Sequence, residues 1–335
     1  MMTTKWLGLE LRNPFVPSAS PLSRSLDAAR QLEDAGAGAL VMYSLFEEAV
    51  TAEEESMVRF LHHQDHGHAE ASDYLPDQVD FPGELDRYLE QVASLKATLE
   101  IPVIASLNGV TNSGWLDHAK EIQDAGADAL ELNVYYVAGA PWVEAEQVEQ
   151  RYVDLLKALR EEISIPINMK LSPFFSSIGN MVKRLESAGA AGVALFNRFY
   201  QPDINIHSMS LQHSLHPSSS PEALMSMRWI AMLHGRVDCS MSATGGIHNA
   251  DDAIKLLLAG ADVVHLCTAL LQQGPEHLAT VISGVETWME EQNFETVGEF
   301  RGRVSQAAVN DPSAFERLNY MRVLDTYSLK PGVWR

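Results

Sequence analysis

The stretch Glu33-Asp34-Ala35-Gly36-Ala37-Gly38-Ala39-Leu40-Val41 is the first of four that follow one plan. It returns as Gln123-Asp124-Ala125-Gly126-Ala127-Asp128-Ala129-Leu130-Glu131-Leu132, as Glu186-Ser187-Ala188-Gly189-Ala190-Ala191-Gly192-Val193-Ala194-Leu195, and as Leu257-Leu258-Ala259-Gly260-Ala261-Asp262-Val263-Val264-His265-Leu266. A glycine just past a helix C-terminus takes up the left-handed conformation without the cost that a Cβ imposes. The apolar run that follows has the length and composition of a buried strand. Each copy therefore predicts the end of a helix and the start of a strand.

Four further apolar runs lie between or beside these: Pro14 to Ser18, Pro102 to Ser106, Pro166 to Leu171 and Cys239 to Ala243. Together they predict eight strands. The separators carry helical spacing, as in Glu146 to Glu162 with Val148, Tyr152, Leu155, Leu156 and Leu159 on one face, and in the helix opening at Asn249-Ala250-Asp251-Asp252. Eight alternations predict an α/β fold of the (β/α)8 TIM barrel type, as one domain over residues 1–335. Two smaller α/β domains are the competing architecture. A doubly wound sheet is disfavoured because no Gly-x-Gly-x-x-Gly follows the first strand. Two separators, 45–83 and 196–220, are long loops after the second and sixth strands, on the C-terminal face where barrels hold their sites. A helical tail is expected over 293–335, around Pro312 to Tyr327.

The chain has 335 residues with 24 Lys+Arg against 45 Asp+Glu, a formal charge of −21. Such a surface repels nucleic-acid phosphates and anionic lipid headgroups, and no Lys/Arg cluster offsets it. A small-molecule substrate is expected, with no nucleic-acid or membrane partner. The N-terminal residues lack the basic end and apolar stretch of a secretory signal, so the expected location is the cytoplasm. Cys239 and Cys267 are expected to be reduced and packed. The run His62-His63-Gln64-Asp65-His66-Gly67-His68 sits in a polar loop with no cysteine and reads as solvated, with no metal expected.

In a barrel, polar residues at strand C-terminal ends converge on one cavity. They are Ser18, Ala19 and Ser20; Tyr43 and Ser44; Ser106 and Asn108; Asn133, Tyr135 and Tyr136; Lys170; Asn197 and Arg198; Ser242, Thr244, Gly245 and Gly246; and Thr268. Ser242-Ala243-Thr244-Gly245-Gly246-Ile247 and Cys267-Thr268-Ala269-Leu270 both run into helix starts beside small residues. Backbone N–H groups there suit a phosphate without any arginine. Lys170, at the end of a buried strand, needs a partner such as Glu131, and would set a fixed positive charge against a developing anion.

Asn13-Pro14-Phe15-Val16-Pro17-Ser18-Ala19-Ser20, Glu131-Leu132-Asn133, Lys170-Leu171-Ser172-Pro173-Phe174-Phe175, Ala243-Thr244-Gly245-Gly246-Ile247 and Ala259-Gly260-Ala261-Asp262 resemble the succession of motifs in dihydroorotate dehydrogenases. Ser44-Leu45-Phe46-Glu47-Glu48, Leu195-Phe196-Asn197-Arg198-Phe199-Tyr200-Gln201-Pro202-Asp203 and Arg228-Trp229-Ile230-Ala231 resemble a bacterial branch known as dihydroorotate dehydrogenase-like proteins. The resemblance runs from residue 5 to about 290. It implies FMN over the barrel mouth, with its phosphate at Gly245, Gly246 and the Thr268 turn, and with Thr244 and Cys267 also binding the cofactor. Ser18, Ala19 and Ser20 would back the flavin ring beside Ser44, Lys170 would face its N1/O2 edge, and Asn108, Asn133 and Asn197 would hydrogen-bond flavin or substrate. Hydride would pass from a substrate C–H to flavin N5 while a base takes the neighbouring proton.

Three positions depart from the family pattern. Where the family carries its catalytic Cys or Ser, three residues past the strand-four Asn, this chain has Tyr136, which becomes the expected catalytic group together with Lys170. The strand-two lysine of soluble members is Tyr43, and the amide after the catalytic residue is Ala138. The resemblance implies oxidation of dihydroorotate or a similar cyclic amide, in pyrimidine biosynthesis, by a soluble homodimer. The substitutions keep two alternatives open: an ene-reductase or dihydropyrimidine-type enzyme in which Tyr136 donates the proton, and an FMN-binding subunit of a redox assembly with a partner protein and no turnover of its own.

Overall fold

The computed structural model of the chain describes residues 1–51, 83–109 and 113–326. Most of the expected 45–83 loop, with the His62–His68 run, lies outside the described residues. The eight expected strands form one parallel sheet: β3 (Phe15–Pro17), β4 (Leu40–Phe46), β5 (Val103–Gly109), β6 (Ala129–Val134), β7 (Ile167–Leu171), β8 (Gly192–Leu195), β11 (Ser240–Thr244) and β12 (Val263–Leu266). From β4 to β12 each pairs with the next in chain order, and β12 pairs with β3. At the remaining seam the Gly38 N–H donates to the Phe15 carbonyl at 2.8 Å, which draws β3 and β4 into a nearly closed (β/α)8 barrel.

The repeat does what its chemistry requires. Gly36, Gly126, Gly189 and Gly260 have φ between 101° and 120°. They end helices Leu26–Asp34, Ser113–Asp124, Ile178–Ser187 and Ala250–Ala259, and the chain then enters β4, β6, β8 and β12. The Asn249 side chain caps the Ala250–Ala259 helix by accepting from the Asp252 N–H at 3.0 Å. Helix Ala145–Glu162 buries Tyr152, Leu155, Leu156 and Leu159 against the strands, matching the predicted stripe. In the tail a short turn at Pro312–Phe315 leads to helix Arg317–Asp325, and Arg228 Nε donates to the Phe315 carbonyl at 2.7 Å to hold it outside the barrel.

Two antiparallel ribbons were not anticipated. One, β1 (Thr4–Trp6) paired with β2 (Leu9–Leu11), closes the N-terminal end of the barrel. Its Trp6, Leu7 and Leu11 are buried with Val16, Ala39, Val41, Ile104, Ala129 and Val263, an apolar floor inside the ring of strands. Gly192 makes room for it: a Cβ there would meet Leu7 Cδ2 at 2.5 Å. The other ribbon, β9 (Asp203–Asn205) with β10 (Ser210–Gln212), rises from the predicted 196–220 loop on the C-terminal face. Among the described residues no helix is long and apolar enough to cross a membrane.

Above the apolar floor the barrel interior turns polar. Register places Ser106, Glu131, Asn168 and Gly192 side by side in one layer, and Asn108, Asn133, Lys170 and Ala194 in the next layer toward the C-terminal face. Because strand residues alternate faces, these layers are fixed by period two along each strand.

Candidate active site

The second polar layer is the base of a cavity of about 820 Å³ at the C-terminal face. Its wall takes in Ser18 and Ala19 from the end of β3, Ser44 from β4, Asn108 from β5, Asn133 from β6 and Lys170 from β7. Asn197, Thr244, Gly245, Gly246, Cys267 and Thr268 complete the set that the sequence singled out. Five of the expected residues stand apart from this wall: Ser20, Tyr43, Ser106, Tyr136 and Ser242. Ser20 is buried beside it, where its carbonyl accepts from Ser23 Oγ at 3.0 Å. Tyr136 has its ring beneath the Arg151 guanidinium at 4.1 Å and packs against the outer core. The physical reason is phase: Glu131, Asn133 and Tyr135 share the inward face, and Tyr136 falls on the other.

Lys170 is where a buried ammonium requires compensation, and it has it. Its Nζ lies 3.1 Å from Glu131 Oε1, with Lys170 8 % and Glu131 0 % exposed. The second carboxylate oxygen accepts from Asn168 Nδ2 at 3.2 Å. One layer up, Asn197 Nδ2 donates to Asn133 Oδ1 at 2.9 Å, which fixes both amides toward the cavity. Ser44 and Ser106 share a hydrogen bond at 2.9 Å.

His265, in β12, is a member the sequence reading passed over. Its imidazole is fully enclosed, edge-on to Trp6 at 5.3 Å between centroids, with Nδ1 3.9 Å from Glu131 Oε2 and both ring nitrogens without a hydrogen bond. Burial pushes its pKa down to about 4, with the Glu131 carboxylate opposing and the Lys170 charge assisting. It is therefore neutral at ordinary pH. The alternation Val263, His265, Cys267 held the signal, since all three point inward from one strand.

Further wall residues are Phe46 and Glu48 at and after the end of β4, Tyr135 after β6, and Arg198, Tyr200 and Ser218 from the 196–220 loop. The Tyr135 ring stacks on Phe199 at 4.2 Å with a 12° interplanar angle, and Phe174 meets Phe199 edge-on. Arg198 is spent on its own loop, pairing with Glu222 at 3.1 Å and donating to the carbonyls of His216 and Pro217. Tyr43, which replaces the family lysine, turns away from the wall, with Arg24 over its ring at 4.1 Å and Tyr88 against its edge. Burial raises the Cys267 pKa, and both cysteines are free thiols.

The residues present fit a flavin nucleotide. Gly245 and Gly246 have φ of 90° and 76°, and among the described residues their N–H groups, with those of Thr268 and Ala269, donate to no protein atom. A Cβ on Gly245 would project into open space on the cavity wall, whereas one on Gly246 would strike Ala223 N at 2.4 Å. The turn is thus a cradle of unused donors against a packed backing, as an anion site requires.

Residues 77–289, more than half of the chain, match the family described as dihydroorotate dehydrogenase. The chain belongs to the dihydroorotate dehydrogenase family. Among its curated relatives is the catalytic subunit of dihydroorotate dehydrogenase B (NAD(+)) from Methanothermobacter thermautotrophicus, 24 % identical over 90 % of this chain and 98 % of that protein. Dihydroorotate dehydrogenase A (fumarate) from Lactobacillus delbrueckii subsp. bulgaricus is 25 % identical over 89 % of this chain and 96 % of its own length. The dihydroorotate dehydrogenase B catalytic subunit of Pyrococcus abyssi is 26 % identical over 90 % and 98 %. Members of the family are flavin-linked oxidoreductases acting on a CH–CH bond, and that class is the chain's.

Proposed function

We propose that the cavity binds FMN and oxidises dihydroorotate, or a similar cyclic amide, in pyrimidine biosynthesis. The observation that carries this reading is the juxtaposition of a polar layer, Asn108, Asn133 and Lys170, with the unused donors of Gly245 and Gly246 on one wall. The printed names of the relatives support the substrate. When bound, the flavin supplies the hydride acceptor. Gly245, Gly246 and Thr268 would hold its phosphate through backbone N–H groups, and Ser18 and Ala19 would back its ring. Lys170 would set its charge against the edge where negative charge gathers, and Glu131 keeps that ammonium in place. Asn133 and Asn197, already locked to each other, would orient the substrate amide.

The test is direct. Purified protein should carry a visible flavin spectrum and release FMN on denaturation, and anaerobic dihydroorotate should bleach the band. Flavin that stays oxidised would sink dihydroorotate as substrate. A second reading, reduction of an activated C=C bond, draws support from the phenols of Tyr135 and Tyr200 on the wall, which are proton donors. The same proposal places the enzyme in the cytoplasm as a homodimer with a redox partner. The exposed Ile204, Met209 and Leu211 of the β9–β10 ribbon support a contact surface of this kind, and sedimentation of the purified chain tests it.

A further inference from the structure

The reaction needs a group that exchanges a proton at the carbon next to the one that exchanges hydride. The protic side chains of the wall differ in how free they are to do so. Ser44 is bonded to Ser106 and Ser218 to His248, Lys170 is held by Glu131, and Cys267 is a half-buried thiol whose pKa desolvation raises. Tyr200 is 56 % exposed at the rim. Tyr135 is set apart by three observations. It lies two residues past Asn133, just beyond the end of β6, and lines the same cavity as Asn108, Asn133 and Lys170. Its ring is held flat against Phe199, which fixes where the hydroxyl goes. That hydroxyl makes no hydrogen bond among the described residues, so it is available to a bound molecule.

We infer that Tyr135, rather than Tyr136, is the catalytic residue that moves the proton; the inference rests on the flavin reading above. In oxidation, a substrate C–H bond breaks with its electron pair going to the flavin as hydride. The neighbouring C–H proton goes to Tyr135 Oη while the hydroxyl's own proton passes to water, and the electron pair of that C–H bond forms the C=C bond. An acceptor of the oxidised-nicotinamide or fumarate class then removes the two electrons. In reduction the same steps reverse: the Tyr135 Oη–H protonates one carbon, hydride reaches the other, water reprotonates the phenolate, and a reduced nicotinamide supplies the electron pair. Tyr136, under Arg151 on the outer side of the strand, reaches neither carbon.

The experiment compares holoenzymes of wild type, Tyr135→Phe and Tyr136→Phe by two readouts. A phenol beside the flavin ring quenches its fluorescence by donating an electron, and a phenyl group does not. Bound-flavin emission should therefore rise in Tyr135→Phe with flavin content unchanged, and anaerobic bleaching by dihydroorotate should slow by about 100-fold. Unchanged emission and bleaching in Tyr135→Phe, or those effects in Tyr136→Phe alone, overturn the inference. A wild-type chain that binds no flavin overturns the reading beneath it, and the inference with it. If dihydroorotate leaves wild-type flavin oxidised, the substrate is wrong and emission alone decides Tyr135, for or against.

Discussion

Lys170 enters a barrel whose floor is hydrocarbon, and Glu131, 3.1 Å away, shares the burial. Removing one partner strands the other. Lys170→Met should lower unfolding free energy by about 3 kcal/mol, and adding Glu131→Gln should recover part of it, leaving a coupling of at least about 1 kcal/mol in a denaturant-based double-mutant cycle. His265 yields a pH prediction of definite sign. Its folded pKa, about 4, lies below the ordinary histidine value, so the unfolded chain takes up the proton first as pH falls. The stability that comes from keeping it neutral is full above about pH 6.5 and is lost between there and about pH 4. Urea titrations at pH 7 and pH 5 should show a smaller loss in His265→Gln than in wild type.

At the scale of elements, the Gly245-Gly246 turn separates binding from stability. Gly245→Ala meets open space, so it should cost about 1–2 kcal/mol of backbone strain while narrowing the cradle. Gly246→Ala drives a methyl into the Ala223 and Ser219 backbone and should destabilise the fold by more than that. Flavin titration and thermal melts on the two variants should therefore rank oppositely: weaker binding dominates for Gly245→Ala, lower melting temperature for Gly246→Ala. The turn was legible in sequence because its chemistry is local, as were the Ala-Gly-Ala junctions that located four of the strands. Tyr135 and Tyr136 were harder to separate. They differ only by phase at a strand end, and a shift of one residue exchanges the cavity face for the helix face.

At the scale of the molecule, the barrel was readable because eight local signals had to agree on one closed topology. The apolar ribbon β1–β2 was not, since Trp6 and Leu7 acquire their meaning only against Val16, Ile104 and Val263 from distant segments. His265 escaped for the same reason, being defined by Trp6, Glu131 and Lys170. The charge of −21 gains a consequence here: the anion cradle consists of backbone donors, and the cations on the cavity wall, Lys170 and Arg198, are both paired.

Among the described residues the hydrocarbon seal made by Trp6, Leu7 and Leu11 shuts the floor of the barrel and leaves the C-terminal face as the way in. If a small-molecule acceptor uses the same cavity, it enters only after the oxidised molecule has left. Initial rates measured against both reactants should therefore give parallel double-reciprocal lines, and the oxidised product should inhibit competitively against the electron acceptor.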